Sequence, residues 1–308
     1  MKNNILVLLS SYNGEKYIKE QIDSILNQKT DYEVHLLVRD DGSKDSTRDI
    51  LENYVAIYPE RVHVIYGENK GYIKSFFELI KQADGYKYYA LSDQDDVWLE
   101  NKLQAAVSLC DKENYDQPLL YGSSSFLVNT DLEKFGETQK ELRKVTFYNS
   151  VIQNIFPGHT QVFNEALRIL LSKEIDYSKI YVHDSWITNI AVIYGKTIFD
   201  NNSYTLYRQH GSNEVGFGKG TLGWIKERLK RIKKQDNKKY AKQIAYLYKI
   251  CHQHLEMNEK QQLLNFLTKQ KNISSRITFA LKMKFYRQKS FENLLFRILY
   301  IIGGYKVE

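Results

Sequence analysis

Two hydrophobic periods alternate along the first hundred residues. Short apolar runs bounded by polar residues predict buried strands over Asn4–Ser10, Tyr32–Arg39, Val62–Tyr66 and Tyr86–Leu91. Between these runs, apolar residues recur every three or four positions, which predicts helices over Glu15–Asn27, Ser46–Tyr58 and Tyr72–Ala83. Because strands that alternate with helices form mainly parallel sheets covered on both faces, the pattern predicts an α/β fold.

The rhythm changes after a further predicted helix over Glu100–Asp111. The pattern then predicts four strands, over Leu119–Asn129, Thr160–Phe163, Thr197–Asp200 and Tyr204–Arg208. It also predicts helices over Asn164–Leu171 and Ile187–Tyr194. Gly216, Gly218 and Gly220 indicate a loop, and the pattern is helical from Leu222 onward. We therefore expect a sheet-containing domain over residues 1–217 and a helical region over residues 218–308.

Composition places the chain among globular proteins, with 43% apolar and 26% charged residues. Cys110 and Cys251 are too far apart for a CxxC zinc site, and low cysteine use is typical of a reducing compartment. The apolar run Ile5–Leu9 is shorter than the core of a signal peptide. No stretch reaches the ~20 apolar residues that a membrane-spanning helix needs. These features predict a cytoplasmic protein.

The net charge of +7 is distributed unevenly along the chain. Residues 219–308 carry 21 basic and 6 acidic side chains, a net charge of +15, whereas residues 1–218 have a net charge of −8. The basic region interleaves its charges with Trp224, Ile225 and Leu229, and Leu294–Ile302 is almost entirely apolar. This pattern is typical of helices on an anionic membrane surface; the alternatives are helices packed on the first domain and a nucleic-acid surface. Because no nucleic-acid-binding motif accompanies the charge, we expect no nucleic acid partner and peripheral association with the inner face of the cell membrane.

An acidic turn, Ser92-Asp93-Gln94-Asp95-Asp96, follows the fourth predicted strand. Three carboxylates within four residues repel one another unless a cation neutralises them, and carboxylate oxygens suit Mg²⁺ or Mn²⁺. The alternative is a solvated turn in which Asp95 or Asp96 caps the next helix. Tyr12 and the Asp40-Asp41 pair also follow predicted strands, and ligands bind beyond the carboxyl ends of parallel strands. That shared edge favours a metal site.

Several other residues are candidates for ligand binding, catalysis or metal binding because of their residue type and their place in the chain. Tyr12 can stack on a nucleobase, and Asp41 can accept a hydrogen bond from a base imide or a ribose hydroxyl, although Asp-Gly is also a common turn. Asp184, within His183-Asp184-Ser185-Trp186, is either a helix N-cap or a general base for a hydroxyl proton. Trp186 can form an apolar wall for a sugar ring. His210 is either structural or a metal ligand on a loop.

Five motifs, in this order, resemble those of the family 2 glycosyltransferases with the GT-A fold. They are Ser11–Gly14, Arg39–Ser43 with Asp45-Ser46-Thr47, Ser92–Trp98, His183–Trp186 and Tyr207–Asn213. The acidic turn and the last two motifs are most similar to bacterial rhamnosyltransferases that build cell-wall, capsule or O-antigen polysaccharides. The resemblance covers about residues 1–217 and implies a Rossmann-like, mainly parallel sheet flanked by helices. Residues 218–308 would then be a basic helical C-terminal extension.

The resemblance implies a role for each residue of the donor site. Tyr12 would stack on the nucleobase, and Asp41 would bond its imide. Asp95 would bind Mn²⁺ or Mg²⁺ directly, and His210 would complete the metal site. Asp93 would contact the ribose or the metal.

The resemblance also implies the chemistry and the substrates. Asp184 would be the catalytic base of an inverting, single-displacement transfer, with Trp186 in the nucleotide-sugar site. Asp96 would be a structural residue at a helix start, and Gly158-His159-Thr160 would line the acceptor side. The implied donor is dTDP-L-rhamnose, although similar motifs serve UDP-hexose and UDP-galactofuranose transferases. The implied acceptor is a saccharide on a lipid carrier.

Two other functions are compatible with parts of this pattern. A nucleotidyltransferase also combines an α/β sheet with paired aspartates, but it would carry a Gly-rich basic loop after the first strand, where Ser10–Gly14 has one glycine and no arginine. An inactive transferase kept as a binding or assembly subunit is the non-enzymatic alternative. The joint presence of Asp41, Asp93, Asp95, Asp184 and His210 argues against an inactive subunit.

Overall fold

The computed structural model describes residues 3–138, 142–210 and 236–306. The chain divides into two compact units. The sheet unit comprises Met1–Leu142, Phe156–Ile175 and Tyr194–His210, and the helical unit comprises Arg143–Ile155, Asp176–Ile193 and Gly211–Glu308. The predicted boundary between residues 217 and 218 and the basic stretch over residues 219–235 lie outside the described residues, so the predicted domain division stays a prediction.

A mixed sheet forms the centre of the sheet unit. Its strands are β1 Asn4–Ser11, β2 Glu33–Asp40, β3 Val62–Tyr66, β4 Tyr88–Ser92, β5 Val97–Trp98, β6 Leu119–Val128, β7 Lys134–Glu137, β8 Val162–Asn164 and β9 Lys196–Arg208. They lie in the order β3-β2-β1-β4-β8-β6-β9-β5, with β7 paired to β6. Strands β1 to β4 are parallel, β8 is antiparallel to both of its neighbours, and β6 is parallel to β9. The predicted α/β fold with a mainly parallel first half is confirmed.

Both faces of the central strands β1 and β4 are buried because helices cover them. The helices of this unit are α1 Ile18–Leu26, α2 Thr47–Ile57, α3 Tyr72–Gln82, α4 Lys102–Cys110 and α6 Glu165–Leu171. Ile5, Val7 and Leu9 belong to one core cluster together with residues of α1, α2 and α4. Leu6 and Leu8 are buried on the opposite face, where α3 packs against β1. A strand buried on both faces reads as a continuous apolar run, as Ile5–Leu9 does.

The structure corrects the predicted role of Asp96. Asp96 precedes the short strand β5, and the next helix begins only at Lys102, with Asn101 at its N-cap. Asp96 therefore does not lie at a helix start. The two strands predicted over Thr197–Asp200 and Tyr204–Arg208 form the single strand β9.

The helical unit contains the C-terminal extension. Its helices are α5 Phe147–Ser150, most of α7 His183–Tyr194, α8 Asp236–Cys251, α9 Met257–Thr268, α10 Ile273–Lys282 and α11 Ser290–Ile301. The ring of Phe266 packs against those of Phe285, Phe296 and Tyr300, so aromatic side chains form the core of this unit. The predicted C-terminal helical extension is confirmed. Within the described residues, no helix combines the length and the apolar character needed to cross a bilayer.

Candidate functional site at the carboxyl ends of the parallel strands

Three polar segments meet at one edge of the sheet. Strand β1 ends at Ser11, which pairs with Asp40 at the end of β2, and Leu9 pairs with Ser92 at the end of β4. Tyr12, Asp41 and the acidic turn therefore begin beside one another. The expectation that these polar residues share one sheet edge is confirmed.

Gln94 joins the acidic turn to the loop that carries Tyr12. Its Oε1 accepts hydrogen bonds from the backbone N–H of Tyr12 at 2.9 Å and from the hydroxyl of Ser11 at 2.8 Å. Its Nε2 donates to the backbone carbonyl of Tyr12 at 3.1 Å. Tyr12 itself is 43% exposed, so its ring is available to a ligand. The middle residue of the acidic turn thus fixes the backbone of the residue predicted to stack on a base.

A second set of hydrogen bonds joins the Tyr12 loop to the turn after β2. The backbone N–H of Asn13 donates to the hydroxyl of Ser43 at 2.9 Å, and that of Lys44 donates to Asn13 Oδ1 at 2.9 Å. Asn13 has a φ of 49°, a left-handed conformation that asparagine tolerates better than most residues. The loop geometry therefore depends on side chains from both segments.

Asp41 is buried and held from three directions. Arg39 forms an ion pair with its Oδ1, which also accepts the backbone N–H of Lys70 at 2.9 Å. The Oδ2 atom accepts the backbone N–H of Gly71 at 2.8 Å. Arg39 also donates to Glu78 at 2.8 Å. The carboxylate of Asp41 is therefore oriented by the protein, and the four lone-pair directions of a carboxylate are not all used.

Asp95 and His210 contact each other directly. His210 Nε2 lies 2.8 Å from Asp95 Oδ2, and the His210 ring stacks on Tyr17 with 5.2 Å between the ring centroids. The structure thus brings together the two residues that the resemblance predicts as metal ligands, although they are 115 residues apart in sequence.

A second group of potential ligands comprises Asp93, Asp96 and His159. One ligand atom from each lies within 4.8 Å of the others, and His159 Nδ1 is 3.9 Å from the Oδ2 atoms of both aspartates. The Oδ2 atom of Asp96 is buried and has no hydrogen-bond partner among the described residues. Burial, followed by the charges of Asp95 and Asp93, raises the pKa of Asp96 well above its usual range. A divalent cation would remove this conflict, so the residues fit one.

His159 is suited to be a ligand because it stays neutral. Burial lowers the pKa of His159 to about 3, and its Nε2 shares a hydrogen bond with the hydroxyl of Ser125 at 2.8 Å. Two carboxylates and one neutral imidazole form a donor set that suits Mn²⁺ better than Mg²⁺, because Mg²⁺ prefers oxygen ligands alone. The resemblance placed His159 on the acceptor side and did not connect it with the acidic turn. That connection depends on the antiparallel pairing of β8 with β4, for which the sequence carries no local signal.

Arg208 holds the acidic turn in place through hydrogen bonds. Its backbone N–H donates to Asp96 Oδ1 at 3.1 Å and its Nε donates to the carbonyl of Asp95 at 2.9 Å. The guanidinium also contacts Glu20 and the carbonyl of Thr130. This arginine is buried, and its guanidinium donors satisfy the carbonyl of Asp95 in the acidic turn and that of Thr130 in the loop after β6.

Asp184 and Trp186 belong to the helical unit, at the start of α7. Asp184 is 8% exposed; its Oδ2 accepts a hydrogen bond from Asn154 at 2.7 Å, and its Oδ1 accepts the backbone N–H of Ser185 at 2.8 Å. Trp186 is 1% exposed and stacks on Tyr246 with 5.5 Å between the ring centroids. The roles of Asp184 as a base and of Trp186 as part of the nucleotide-sugar site stay predictions.

Comparison with known proteins agrees with this geometry. The family model described as glycosyl transferase family 2 matches residues 6–164. The dTDP-rhamnosyl transferase RfbG of Shigella flexneri is 29% identical over 251 residues, which cover 77% of this chain and 82% of RfbG.

Solved structures show the same fold at low sequence identity. TarS 1–349 of S. aureus in complex with UDP superposes with a TM-score of 0.59 at 20% identity, covering 98% of this chain and 80% of that one. Mannosyltransferase PcManGT from Pyrobaculum calidifontis, in complex with GDP-Man and Mn²⁺, gives a TM-score of 0.54 at 15% identity, covering 99% and 86%. The family match spans the parallel strands and the acidic turn, and the chain is a member of glycosyl transferase family 2.

Proposed function

We propose that this protein is an inverting, metal-dependent glycosyltransferase that moves L-rhamnose from dTDP-L-rhamnose to a hydroxyl of a growing, lipid-linked bacterial surface polysaccharide. The observation that carries the proposal is the meeting of the acidic turn with His159 and His210 at the sheet edge that also holds Tyr12. The choice of donor is supported by the 29% identity with dTDP-rhamnosyl transferase RfbG. UDP-hexoses and UDP-galactofuranose are the alternative donors.

The nucleoside part of the donor would bind at Tyr12 and Asp41. The exposed ring of Tyr12 would stack on the base, and the hydrogen bonds between Gln94 and the Tyr12 backbone support this role. The Asp41 carboxylate would accept the hydrogen bond of the base imide; both thymine and uracil carry that N–H group. Asp93 would contact the ribose. These contacts with the base and the ribose do not distinguish dTDP from UDP, so the donor needs a direct assay.

The diphosphate would bind at the acidic turn. When bound, Mn²⁺ or Mg²⁺ supplies positive charge that stabilises the leaving diphosphate, where negative charge develops. Asp95 and His210 would hold the ion, with Asp93 beside them. The alternative ligand set is Asp93, Asp96 and His159, whose ligand atoms lie within 4.8 Å of one another.

Asp184 would act as the general base. The acceptor oxygen forms a bond to the anomeric carbon while Asp184 takes its proton. The bond from that carbon to the diphosphate oxygen breaks, and its electron pair leaves with the nucleoside diphosphate. Because the nucleophile enters opposite the leaving group, the configuration inverts. The hydrogen bonds from Asn154 and from the Ser185 N–H support this role, since they fix the orientation of the carboxylate.

A donor screen tests the proposal. The full chain is incubated with Mn²⁺ and dTDP-L-rhamnose, UDP-glucose or UDP-galactofuranose, and both nucleotide-sugar affinity and nucleoside diphosphate release are measured. We expect the highest affinity for dTDP-L-rhamnose and loss of binding in EDTA. Preference for a UDP-sugar would replace the donor but keep the enzyme class. Failure to bind any nucleotide-sugar would favour an inactive binding or assembly subunit.

Substituting the proposed base separates chemistry from binding. Asp184→Asn should lower sugar transfer by roughly 10²-fold or more, the usual contribution of a general base, while leaving donor affinity nearly unchanged. Asp176→Asn is the matched control, because the Asp176 carboxylate also accepts a neighbouring backbone N–H, from Ser178 at 3.0 Å. Transfer at the wild-type rate in Asp184→Asn would remove Asp184 from the mechanism.

A further inference from the structure

Helix α10 exposes a row of apolar side chains. Ile273, Ile277 and Leu281 follow one another at intervals of four residues, so they lie along one stripe of the helix. Their side chains are 58%, 41% and 79% exposed. The buried side of the same helix is formed by Phe279 and Ala280. The exposed stripe lies beside this buried side and faces water.

Helix α11 and the residue after it repeat the arrangement. Phe291, Leu294, Ile298 and Ile302 occur at spacings of three and four and are between 46% and 66% exposed. The core side of this helix is formed by other residues, Phe296, Leu299 and Tyr300. A soluble surface helix normally has polar residues opposite its core face. Seven large apolar residues are exposed on these two consecutive helices, and exposed apolar patches of this size commonly mark interaction surfaces.

The two stripes border the same helix–helix seam. Helices α10 and α11 pack together, with the rings of Phe279 and Tyr300 5.5 Å apart. Arg276 Nε donates to the carbonyl of Ile301 at 2.7 Å, and Arg297 Nη2 donates to the carbonyl of Met283 at 3.2 Å. Ile277 and Ile302 directly follow two of these seam residues. Both stripes thus lie next to the seam of one helix pair, and we call this surface the α10–α11 face.

Basic residues flank the two stripes of the α10–α11 face in the sequence. Residues 269–306 contain nine basic residues and one acidic residue, Glu292, and Glu292 is paired with Arg287 at 3.1 Å. Exposed lysines lie before, between and after the two helices, at Lys269, Lys271, Lys284, Lys289 and Lys306, and Lys282 is the last residue of α10. The segments that flank the apolar face therefore carry positive charge.

Exposed apolar residues flanked by lysines favour one kind of binding partner over the others. A second copy of the chain would bring one set of flanking lysines against another, with almost no acidic side chain to offset the repulsion. Nucleic acid would bind the lysines but would leave the apolar stripes exposed to water. An anionic bilayer satisfies both features, because acyl chains accept the apolar residues while headgroup phosphates bind the lysines. Helices of 10 and 12 residues are roughly 15–18 Å long, shorter than the ~30 Å hydrocarbon core, so they fit the interface and not a span.

We propose that the α10–α11 face is a docking surface for the anionic headgroup layer of a lipid bilayer, in which the seven apolar residues enter the headgroup–acyl boundary. The proposal assigns the membrane contact to a defined surface of the helical unit. It is independent of the identity of the donor sugar. It would also bring the enzyme to the membrane that holds a lipid-linked acceptor.

Vesicle flotation of the full chain tests the proposal. We expect binding to phosphatidylcholine vesicles that contain phosphatidylglycerol, little binding to pure phosphatidylcholine, and weakening at about 0.5 M salt, where exposed charges are screened. The triple variant Leu281→Ser, Phe291→Ser, Ile298→Ser should lower binding by at least about tenfold, since it removes three inserted side chains. The matched control is Ile57→Ser, Ile169→Ser, Met257→Ser, which changes three exposed apolar residues elsewhere and should bind as the parent does.

Two further readouts separate this proposal from others. Donor binding should be equal in parent and triple variant, so failure of the docking surface and failure of the proposed function give different results. Light scattering reports the oligomeric state over a range of concentrations. Undiminished vesicle binding by the triple variant would overturn the proposal, as would a dimer that the triple variant disrupts in a chain that ignores anionic vesicles.

Discussion

Gln94 should control donor affinity although its own side chain is bonded only to the protein. Its amide makes three hydrogen bonds with the Ser11–Tyr12 segment, and a hydrogen bond contributes a net ~1 kcal/mol. Gln94→Leu keeps the approximate size but removes all three, so the upper limit of the loss is about 3 kcal/mol. Partial solvation of this loop reduces the expected loss to about 1–2 kcal/mol, which corresponds to a 5- to 30-fold weaker donor affinity.

Gln104 offers a matched control in the same unit. Its Oε1 accepts hydrogen bonds from Thr30 Oγ1 at 2.8 Å and from the backbone N–H of Asp31 at 3.0 Å, and its Nε2 donates to the Asp31 carboxylate at 3.2 Å. Gln104→Leu should therefore cost similar stability without changing donor affinity. Isothermal titration with the preferred nucleotide in Mn²⁺ measures affinity, and urea unfolding measures stability.

A substitution at Gly14 tests the same side-chain amide of Gln94 by steric displacement. A Cβ at Gly14 would lie 2.4 Å from Gln94 Oε1, so Gly14→Ala should displace the Gln94 side chain and weaken donor binding in the same direction. If Gln94→Leu binds the nucleotide as tightly as the parent while its stability falls, the amide only supports the fold and does not position Tyr12.

The remaining predictions concern the metal site and its histidine. Asp95→Asn should weaken Mn²⁺ binding by at least about tenfold and more than Asp96→Asn does, as measured by Mn²⁺ titration without nucleotide; the reverse order would assign the ion to the group containing His159. Because the pKa of His159 falls from 6.5 to about 3 on folding, the unfolded chain binds more protons between these values, so stability should decrease as pH falls below 6.5. At pH 5 the loss due to His159 is about 2 kcal/mol. Urea unfolding in EDTA should show that His159→Gln lacks this part of the decrease; equal pH slopes in both proteins would mean that His159 is charged in the fold. Arg39→Met should weaken donor binding at least about fivefold, because it leaves the buried Asp41 carboxylate without its cation; unchanged affinity would show that Asp41 does not contact the nucleotide.

The pattern of apolar residues predicted the bounds of the parallel strands β1 to β4 to within two residues. The predicted strand over Val62–Tyr66 has the observed bounds, and the other parallel strands differ by at most two residues at either end. For β1 and β4 the prediction worked because these strands are buried on both faces and their apolar runs end where the chain reaches water. The positions of these ends also predicted correctly that Tyr12, Asp41 and the acidic turn lie at one edge of the sheet.

Pairing between distant segments could not be predicted in the same way. Asn201, Asn202 and Ser203 interrupt the apolar pattern of β9, yet the strand continues because β6 pairs with it across a register shift near Ser124. Strand β5 has only two residues, too few for a period. The position of His159 depends on the pairing of β8 with β4, and just before β8 the carbonyl of Gln161 accepts a hydrogen bond from the backbone N–H of Leu91 at 3.0 Å. Such long-range contacts leave no periodic signal in the sequence.

Strand β9 comes late in the chain, so the residues that hold the acidic turn are synthesised after the turn itself. The family match ends at residue 164, but Arg208 and His210 reach back across more than a hundred residues to Asp95 and Asp96. During synthesis, the acidic turn leaves the ribosome long before the strand that anchors it. The parallel strands can therefore assemble while the three carboxylates still lack Arg208. A truncated chain or a chimaera cut at the end of the matched region would keep the parallel strands but lose the anchor of its metal site.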